Sequence, residues 1–156
     1  MDLKLQWGPA GSDLVLENGD LAADRGLVTA VLLSLYSDGT APLERGLPLL
    51  EQDRRGYWAE EPGDPYGSLL WLLLRAKATA ESAALGRDYA QAALSWLERE
   101  GIARTVEVAA VYRAGGVLAL DVKLTRGTAR RWASLWDAVL ELRLSLSGSL
   151  LQVTLT

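Results

Sequence analysis

The sequence predicts a single α+β domain in which an N-terminal β-hairpin and two to three helices pack on an antiparallel sheet. Three observations predict it: an alternating run with a tight-turn signal near the N-terminus, apolar segments at helical spacing in the middle of the chain, and further alternating runs toward the C-terminus. Helices grouped apart from the strands are typical of this class. With 156 residues, 49% of them hydrophobic and 23% charged, the chain is long enough for one packed core.

The N-terminal hairpin is predicted by Asn18-Gly19, a pair that accepts positive φ at both centres of a type I′ turn. Residues 13–17 alternate before this turn, and residues 20–24 form the returning strand. From Leu27 to Tyr36 the residues are almost all apolar, which predicts a helix buried on most of its circumference. The sequence Ser37-Asp38-Gly39 ends this helix.

Residues 38–66 form a long loop in this interpretation. They hold four of the five prolines together with four glycines, and they show neither helical nor strand periodicity. Loops longer than about 15 residues are uncommon in compact domains and are usually functional or disordered. Because this loop contains Tyr57, Trp58 and Tyr66, we expect it to be ordered and used for contacts.

Two helices are predicted after the loop. The first is capped by Ser68 and runs through Arg75, and the stretch 77–86 carries only a weak helical signal. The second helix ends at Gly101, because glycine fits the left-handed position after a last helical turn. Its apolar face is predicted to hold Tyr89, Ala92, Ala93, Trp96 and Leu97.

The C-terminal third is predicted to be mostly strand. A hairpin turns at Gly115-Gly116, with Val106, Val108, Ala110 and Tyr112 on one face of its first strand and Leu118, Leu120, Val122 and Leu124 on one face of the second. A helix is expected from Thr128 to Leu140, and the alternating residues 142–146 and 151–155 predict two more strands. There is no internal repeat, linker or second domain in this interpretation.

Composition excludes several classes of function. The chain has no Cys and no His, which excludes disulfides, thiolate or imidazole metal sites and catalytic triads with a His base. A net charge of -4 argues against nucleic-acid binding, which needs a basic surface. The longest apolar run, Leu69 to Leu74, is too short for a membrane span, and the first residues do not resemble a signal peptide. We expect no cofactor, no small-molecule substrate and no membrane contact.

The densest group of ionisable residues lies in the long loop: Glu51, Asp53, Arg54, Arg55, Glu60, Glu61 and Asp64. Two carboxylates at a suitable separation can act as acid and base on a glycosidic bond. Calcium is another candidate ligand, although the spacing lacks the alternation of an EF-hand loop. Acidic loops are more often solvated faces or contact surfaces, so we predict no catalytic residue and no metal.

The aromatic side chains divide into two groups. Trp71 and Trp96 fall in helical apolar patterns and are expected in the core. Tyr57 and Trp58 follow two arginines in a polar loop, a composition typical of protein interface anchors. Two interpretations stay open: either Trp58 contacts another subunit, or the loop folds back and Trp58 fills the edge of its own core.

Three segments, Val31–Asp38, Asp53–Trp58 and Gly67–Leu73, resemble in order and spacing the successive motifs of the Mu-like phage baseplate proteins. The resemblance covers roughly residues 13 to 125. The chain departs from the family pattern at Gly39-Thr40, where two arginines are usual, at Tyr57, where a second Trp is usual, at Ala59-Glu60, where Gly-Asp is usual, and at Leu69, where Arg is usual. These differences concern individual partner contacts.

The resemblance implies a structural, non-catalytic wedge subunit of a contractile phage or prophage-derived tail baseplate. Such a subunit joins larger wedge proteins around the central hub or spike, near the start of the sheath or tube, and is assembled in the bacterial cytoplasm. Residues 126–156 lie outside it as a C-terminal extension. The residues expected to contact partners are Tyr36, Asp38, Asp53, Arg54, Arg55, Tyr57, Trp58 and Tyr66.

Two alternatives remain beside this expectation. One is a muramidase-like hydrolase that uses Glu60, Glu61 or Asp64, suggested by the lysozyme-related subunit to which the family is similar. The other is a regulatory module that binds a host protein. Loss of peptidoglycan cleavage on replacing the carboxylates would indicate the first, and a stable complex with a host factor would indicate the second.

Overall fold

The computed structural model describes residues 2–8, 11–24, 26–42, 54–58, 60, 63, 65–126, 140–147 and 150–155. Within these ranges the chain forms short N-terminal strands, two α-helices, one 3₁₀ helix and a four-stranded antiparallel sheet, which confirms the predicted α+β class. The strands are β1 (Asp2–Leu3), β2 (Leu5–Gly8), β3 (Gly11–Leu14), β4 (Leu16–Glu17), β5 (Asp20–Leu21), β6 (Ala23–Asp24), β7 (Ala103–Arg113), β8 (Val117–Arg126), β9 (Leu140–Ser147) and β10 (Leu150–Leu155). The helices are α1 (Leu27–Tyr36), the 3₁₀ helix (Leu70–Arg75) and α2 (Ala80–Arg99).

The predicted N-terminal hairpin is confirmed and belongs to a larger β-structure. Its turn places Asn18 at φ 54° and Gly19 at φ 83°, the left-handed conformations that a type I′ turn requires. Next to the turn, β4 pairs with β5. Farther from the turn the two arms separate, and β3 pairs with β2 while β6 pairs with β1. The strands β1 and β2, which the sequence interpretation did not include, therefore complete this region.

Helix α1 has the predicted bounds. Its buried side chains include Leu27, Val31, Leu32 and Leu35, which lie in one hydrophobic core with α2 and the sheet. The helix ends where the Ser37 N–H donates to the Leu33 carbonyl at 3.0 Å and the backbone becomes extended. The first segment of the long loop therefore starts from a fixed, buried element.

The predicted helix capped by Ser68 is wrong in type and in its cap. Residues Leu70–Arg75 form a 3₁₀ helix whose first flanking residue is Leu69. The Ser68 hydroxyl instead donates to the Leu35 carbonyl at 2.6 Å and accepts from the Leu70 N–H at 3.3 Å. Ser68 thus attaches this segment to the end of α1.

Helix α2 begins earlier than predicted, at Ala80 and inside the stretch that carries a weak signal. Thr79 and Ser82 form a reciprocal capping box, which stabilises this helix start. Gly86, which weakens the sequence signal, is a packing site: a Cβ there would lie 3.0 Å from Leu118 Cδ2 and 3.1 Å from Leu73 Cδ1. The glycine therefore lets the helix approach the sheet closely.

The buried face of α2 differs in part from the prediction. Tyr89 and Leu97 are buried as expected, whereas Ala92 is exposed and Ala93 and Trp96 are half-buried. Tertiary packing turns the face toward the additional buried residues Ala83, Gly86, Ala90 and Leu94. The helix ends as predicted, with Gly101 at φ 68°.

The sheet has the order β10-β9-β8-β7, with every neighbouring pair antiparallel. The predicted hairpin is confirmed: Gly115 and Gly116 have φ 81° and 75°, and the two predicted faces meet in register. The strands expected at residues 142–146 and 151–155 are confirmed as β9 and β10. A helix was expected from Thr128 to Leu140. Residues 128–139 lie outside the described part of the chain, and Leu140 begins β9.

Among the described residues, neither α-helix combines the length and the apolar composition needed to cross a membrane. The core lies between α1, α2 and the inner face of β7, β8 and β9. Its fully buried side chains include Leu32, Leu94, Leu120 and Leu144.

Candidate protein-interaction site

The two ends of the long loop are held side by side by a neck, which comprises Ser37–Gly39 and Gly67–Ser68. The Gly39 N–H donates to the Ser68 carbonyl and the Ser68 N–H donates to the Ser37 carbonyl, both at 2.8 Å. Gly67 has φ 88°, and a Cβ at this position would lie 2.5 Å from the Ser37 oxygen. The close approach of the two strands of the neck therefore requires glycine.

Arg55 braces the loop against the 3₁₀ helix. Its guanidinium carbon lies 5.0 Å from the ring centroid of Trp71, a cation–π distance, and its Nη1 donates to Asp38 Oδ2 at 2.6 Å. The Trp71 indole N–H donates to the Gly39 carbonyl at 2.9 Å. These contacts tie the middle of the loop, its start and the 3₁₀ helix together.

A second set of hydrogen bonds holds the segment beside Arg55. The Ala41 N–H donates to the Arg54 carbonyl at 3.1 Å, and Arg54 Nε donates to the Ala41 carbonyl at 2.9 Å, with Nη2 donating to the same oxygen. The Thr40 hydroxyl donates to Glu60 Oε2 at 2.7 Å. At Gly56, φ is 111° and a Cβ would lie 2.1 Å from Thr40 Oγ1. The backbone on either side of Gly56 is therefore fixed from within the chain.

The braced segment presents an aromatic cluster, made of Tyr57, Trp58 and Tyr66. The ring of Tyr57 lies 5.6 Å from that of Trp58 and 5.2 Å from that of Tyr66, with interplanar angles of 52° and 48°. Trp58 is 90% exposed, Tyr57 44% and Tyr66 37%. The interpretation in which Trp58 fills the edge of its own core is therefore wrong.

A groove of about 200 Å³ lies between the aromatic cluster and α2. Tyr66, Tyr89 and Trp96 line it with apolar surface, and Arg99 adds a guanidinium. The Trp96 indole N–H donates to the buried Ser34 hydroxyl at 3.0 Å, which fixes this wall of the groove. The groove and the aromatic cluster share Tyr66 and so form one continuous surface.

The model of the phage protein GP46 family matches residues 27–131, which include the neck, the 3₁₀ helix and α2. The chain belongs to this family. Baseplate protein gp46 of Escherichia phage Mu is 38% identical over 125 residues, which cover 80% of this chain and 86% of the relative. The Mu-like prophage FluMu protein gp46 of Haemophilus influenzae is 35% identical over 123 residues, which cover 78% of this chain and 84% of the relative. The predicted relation to Mu-like baseplate proteins is confirmed.

Within this GP46 family member, the predicted contact residues occupy different environments. Asp38, Arg54 and Arg55 brace the loop, while Tyr57, Trp58 and Tyr66 form the exposed cluster. Tyr36 packs against the core, and burial raises the pKa of its phenol. Asp53 lies outside the described residues. Partner contact at each of these positions stays a prediction.

Sequence reasoning missed three residues that shape this site: Gly67, Thr40 and Trp71. The prediction that Trp71 lies in the core is wrong. Its ring is half-buried beneath Arg55, and its indole N–H donates to the Gly39 carbonyl. The adjacency of Trp71 and Arg55 has no signal in the sequence, since 15 residues separate the two in the chain. Gly67 had a weak signal, as a glycine directly before a predicted helix.

Of Glu60, Glu61 and Asp64, the residues of the hydrolase and calcium alternatives, the described structure includes only Glu60. The Glu60 carboxylate accepts from Thr40, and Glu61 and Asp64 lie outside the described residues. Among the residues that are described, no group of three or more acidic side chains is placed to hold a metal ion.

Proposed function

We propose that this protein is a structural subunit of a contractile tail baseplate, from a phage or a prophage-derived particle. In this role it is a wedge component that joins larger wedge proteins around the central hub or spike, with the start of the sheath or tube as a further neighbour. The relative from Escherichia phage Mu is a baseplate protein, and its alignment covers most of both chains. The subunit is assembled in the bacterial host and resides in the tail baseplate of the virion.

The observation that carries the proposal is the 90% exposed indole of Trp58 on a braced loop. Leaving a large aromatic side chain in water has no benefit for the isolated fold, whereas aromatic anchors dominate binding energy at protein interfaces. The braces at Arg55 and Gly67 fix the backbone before a partner arrives. Preorganisation of this kind lowers the entropy that a partner's binding must offset.

A structural role agrees with the chemistry of the chain. The sequence has no His and no Cys, so the commonest general base and the strongest side-chain nucleophile are both missing. The Glu60 carboxylate, which the hydrolase alternative would use, is half-buried and holds Thr40. One relative is named a baseplate protein and the other a Mu-like prophage protein, and neither name denotes an enzyme.

The test is affinity capture from cells that coexpress the chain with the neighbouring genes of its operon. Recovery of tail proteins is compared between wild type, Trp58→Ala and Leu74→Ala. Leu74→Ala is the matched control, because it truncates another exposed apolar side chain, 52% exposed, outside the aromatic cluster. We expect Trp58→Ala to reduce recovery of a large wedge protein about tenfold or more, as for an interface hot spot. Its free energy of unfolding should change by less than about 0.5 kcal/mol, because the side chain is exposed.

Equal recovery of tail proteins by the two variants would contradict the assignment of the aromatic cluster. Capture of a host factor with no tail protein would support the regulatory alternative and overturn the baseplate proposal. Clearing of peptidoglycan by the purified chain would overturn the structural role.

A further inference from the structure

Strand β7 forms one edge of the four-stranded sheet, and α2 closes only the first part of this edge. The Val106 N–H donates to Glu98 Oε1 and the Val106 carbonyl accepts from Gln91 Nε2, both at 2.7 Å. Both backbone groups of Val106 therefore point away from β8, toward the free side of β7. Closer to its start the helix lies over β8 instead, where Gly86 packs against Leu118. Helix α2 thus crosses the sheet obliquely and leaves the rest of the β7 edge uncovered.

Beyond Val106 the edge of β7 is open. Alternate residues of an antiparallel strand direct their backbone groups to the same side, and the register with β8 is unbroken from Thr105 to Arg113. The N–H and C=O groups of Val108, Ala110 and Tyr112 therefore also point to the free side. Within the described part of the chain, no donor or acceptor reaches these groups.

The bounds of this open segment limit how another strand can pair with it. At one end the groups of Val106 are already used by α2, and at the other end the strand stops at Arg113, before the turn. The open segment is therefore residues 107–113, with Ala110 in the middle. A second β7 that runs antiparallel meets the same limits when Ala110 lies opposite Ala110 of the second copy.

We propose that the chain forms a homodimer in which β7 pairs antiparallel with β7 of a second copy, about a twofold axis at Ala110. Val108 then lies opposite Tyr112 of the second copy, and the axis repeats this pair. Together with the central pair, these residues exchange about six backbone hydrogen bonds. The two four-stranded sheets become one continuous sheet, and the open edges are closed.

The exposed face of β7 identifies a second copy as the occupant. Glu107 and Arg113 lie at the two ends of the open segment, with Ala109 and Val111 on the same face between them. In the proposed register Glu107 lies opposite Arg113 of the second copy, and the axis forms this pair twice. Opposite charges in directly opposed positions stabilise a pair of strands. Ala109 lies opposite Val111 of the second copy, a side chain that is 52% exposed in the single chain.

The charges across the sheet fit this register. Glu107 lies opposite Lys123 of β8, and Lys123 lies opposite Glu141 of β9. Arg113 of the second copy, on the free side of Glu107, continues this alternation of sign. A second copy that ran parallel in register would instead place Glu107 beside Glu107 and Arg113 beside Arg113.

The dimer goes beyond the proposed baseplate role and depends on other residues, because the aromatic cluster lies outside β7. Pairing also hides a strand edge that would otherwise recruit other chains without specificity. The experiments below use the chain alone, so their failure leaves the proposed contact at Trp58 untouched.

The test is sedimentation equilibrium of the full chain from about 10 µM to 1 mM, in about 0.15 M salt, which screens the repulsion between the net charges. An interface of one strand pair is small, so we expect a Kd within this range. Glu107→Arg and Arg113→Glu should each weaken the dimer about tenfold or more, because each variant brings two pairs of like charges together. Arg126→Glu makes the same change of charge at an exposed position of β8 and should leave the Kd unchanged within about twofold.

The mixture of the two charge variants is the most specific measurement. When a Glu107→Arg chain meets an Arg113→Glu chain, opposite charges again face each other in both pairs. The mixture should therefore form a heterodimer about as tight as the wild-type dimer, although each variant alone is largely monomeric.

Cysteine cross-linking tests the register with milder substitutions, should a charge variant lose its fold. The sequence has no Cys, so Ala109→Cys and Val111→Cys each give a chain with a single thiol. Opposed residues that are not hydrogen-bonded to each other have Cα atoms about 4.5 Å apart, within the reach of a disulfide. Oxidation of the mixed variants should link position 109 to position 111, and either variant alone should cross-link far less. A chain that stays monomeric at about 1 mM, a dimer that both charge variants leave intact, or equal cross-linking with and without mixing would each overturn the proposal.

Discussion

Gly67→Ala is the sharpest test of the neck that holds the long loop. The substituted Cβ would lie 2.5 Å from the Ser37 oxygen and 2.9 Å from the Gly39 nitrogen, both of them backbone atoms that side-chain rotation cannot move away. One strand of the neck must therefore shift. That shift disrupts the two hydrogen bonds at 2.8 Å that join Ser37, Gly39 and Ser68.

The expected cost follows from these contacts. A left-handed backbone costs a residue with a Cβ about 1–2 kcal/mol. Weakening of two backbone hydrogen bonds adds about 0.5–1.5 kcal/mol each, and the lower entropy of the unfolded alanine chain returns about 0.4–1 kcal/mol. We therefore expect the free energy of unfolding to fall by about 2–4 kcal/mol, or the Tm by about 4–16 °C.

The matched control is Gly63→Ala. Gly63 has φ 92°, similar to the 88° of Gly67, but no atom of the described residues lies within 4 Å of its Cβ position. Only the backbone strain remains, so the loss should be about 1 kcal/mol or less. Urea and thermal unfolding of both variants measure the difference. Equal losses would refute the conclusion that close packing at the neck requires Gly67.

Three further predictions concern the core and the helix-to-sheet contacts. Glu98→Ala removes the acceptor of the part-buried Val106 N–H, which donates to Glu98 Oε1 at 2.7 Å. The free energy of unfolding in urea should fall by about 1–3 kcal/mol, and an unchanged value would show that water replaces the carboxylate. Leu94→Ala should lower the free energy of unfolding by about 2–5 kcal/mol, because Leu94 is fully buried. Leu85 is 36% exposed, so Leu85→Ala should lower it by less than half as much. Similar losses in the two variants would contradict the assigned core face of α2. Burial raises the pKa of the Tyr36 phenol, so the folded chain retains this proton above pH 10, where the unfolded chain releases it, and stability should fall as the pH rises beyond that value. Tyr36→Phe should reduce this alkaline loss, and an identical pH profile in both proteins would contradict the shift.

Much of the fold is predictable from the sequence because its signals are local. Asn18-Gly19 and Gly115-Gly116 require left-handed turns wherever they occur between alternating runs, and the structure places them in hairpins. Gly101 likewise ends α2. Gly86 weakened the prediction of the start of α2, because glycine lowers helical propensity. Its role in close packing could not be predicted, since it depends on Leu73 and Leu118 from other parts of the chain.

The candidate site was predictable only as a loop. Four prolines and three aromatic residues marked residues 38–66 as an ordered contact loop. Whether Trp58 points inward or outward was undecidable, because its direction depends on the stacking of Arg55 on Trp71 and on the neck. Such contacts join residues far apart in sequence and leave no periodic pattern.

The most direct test of the central claim is photo-cross-linking in assembled particles, with benzoylphenylalanine in place of Trp58 and, for background, in place of Leu85. Mass spectrometry of the adducts identifies the protein that lies against the aromatic cluster. The proposed function predicts an adduct with another baseplate protein from position 58, well above the background position. Particles that form normally and yield no tail-protein adduct from position 58 would contradict it.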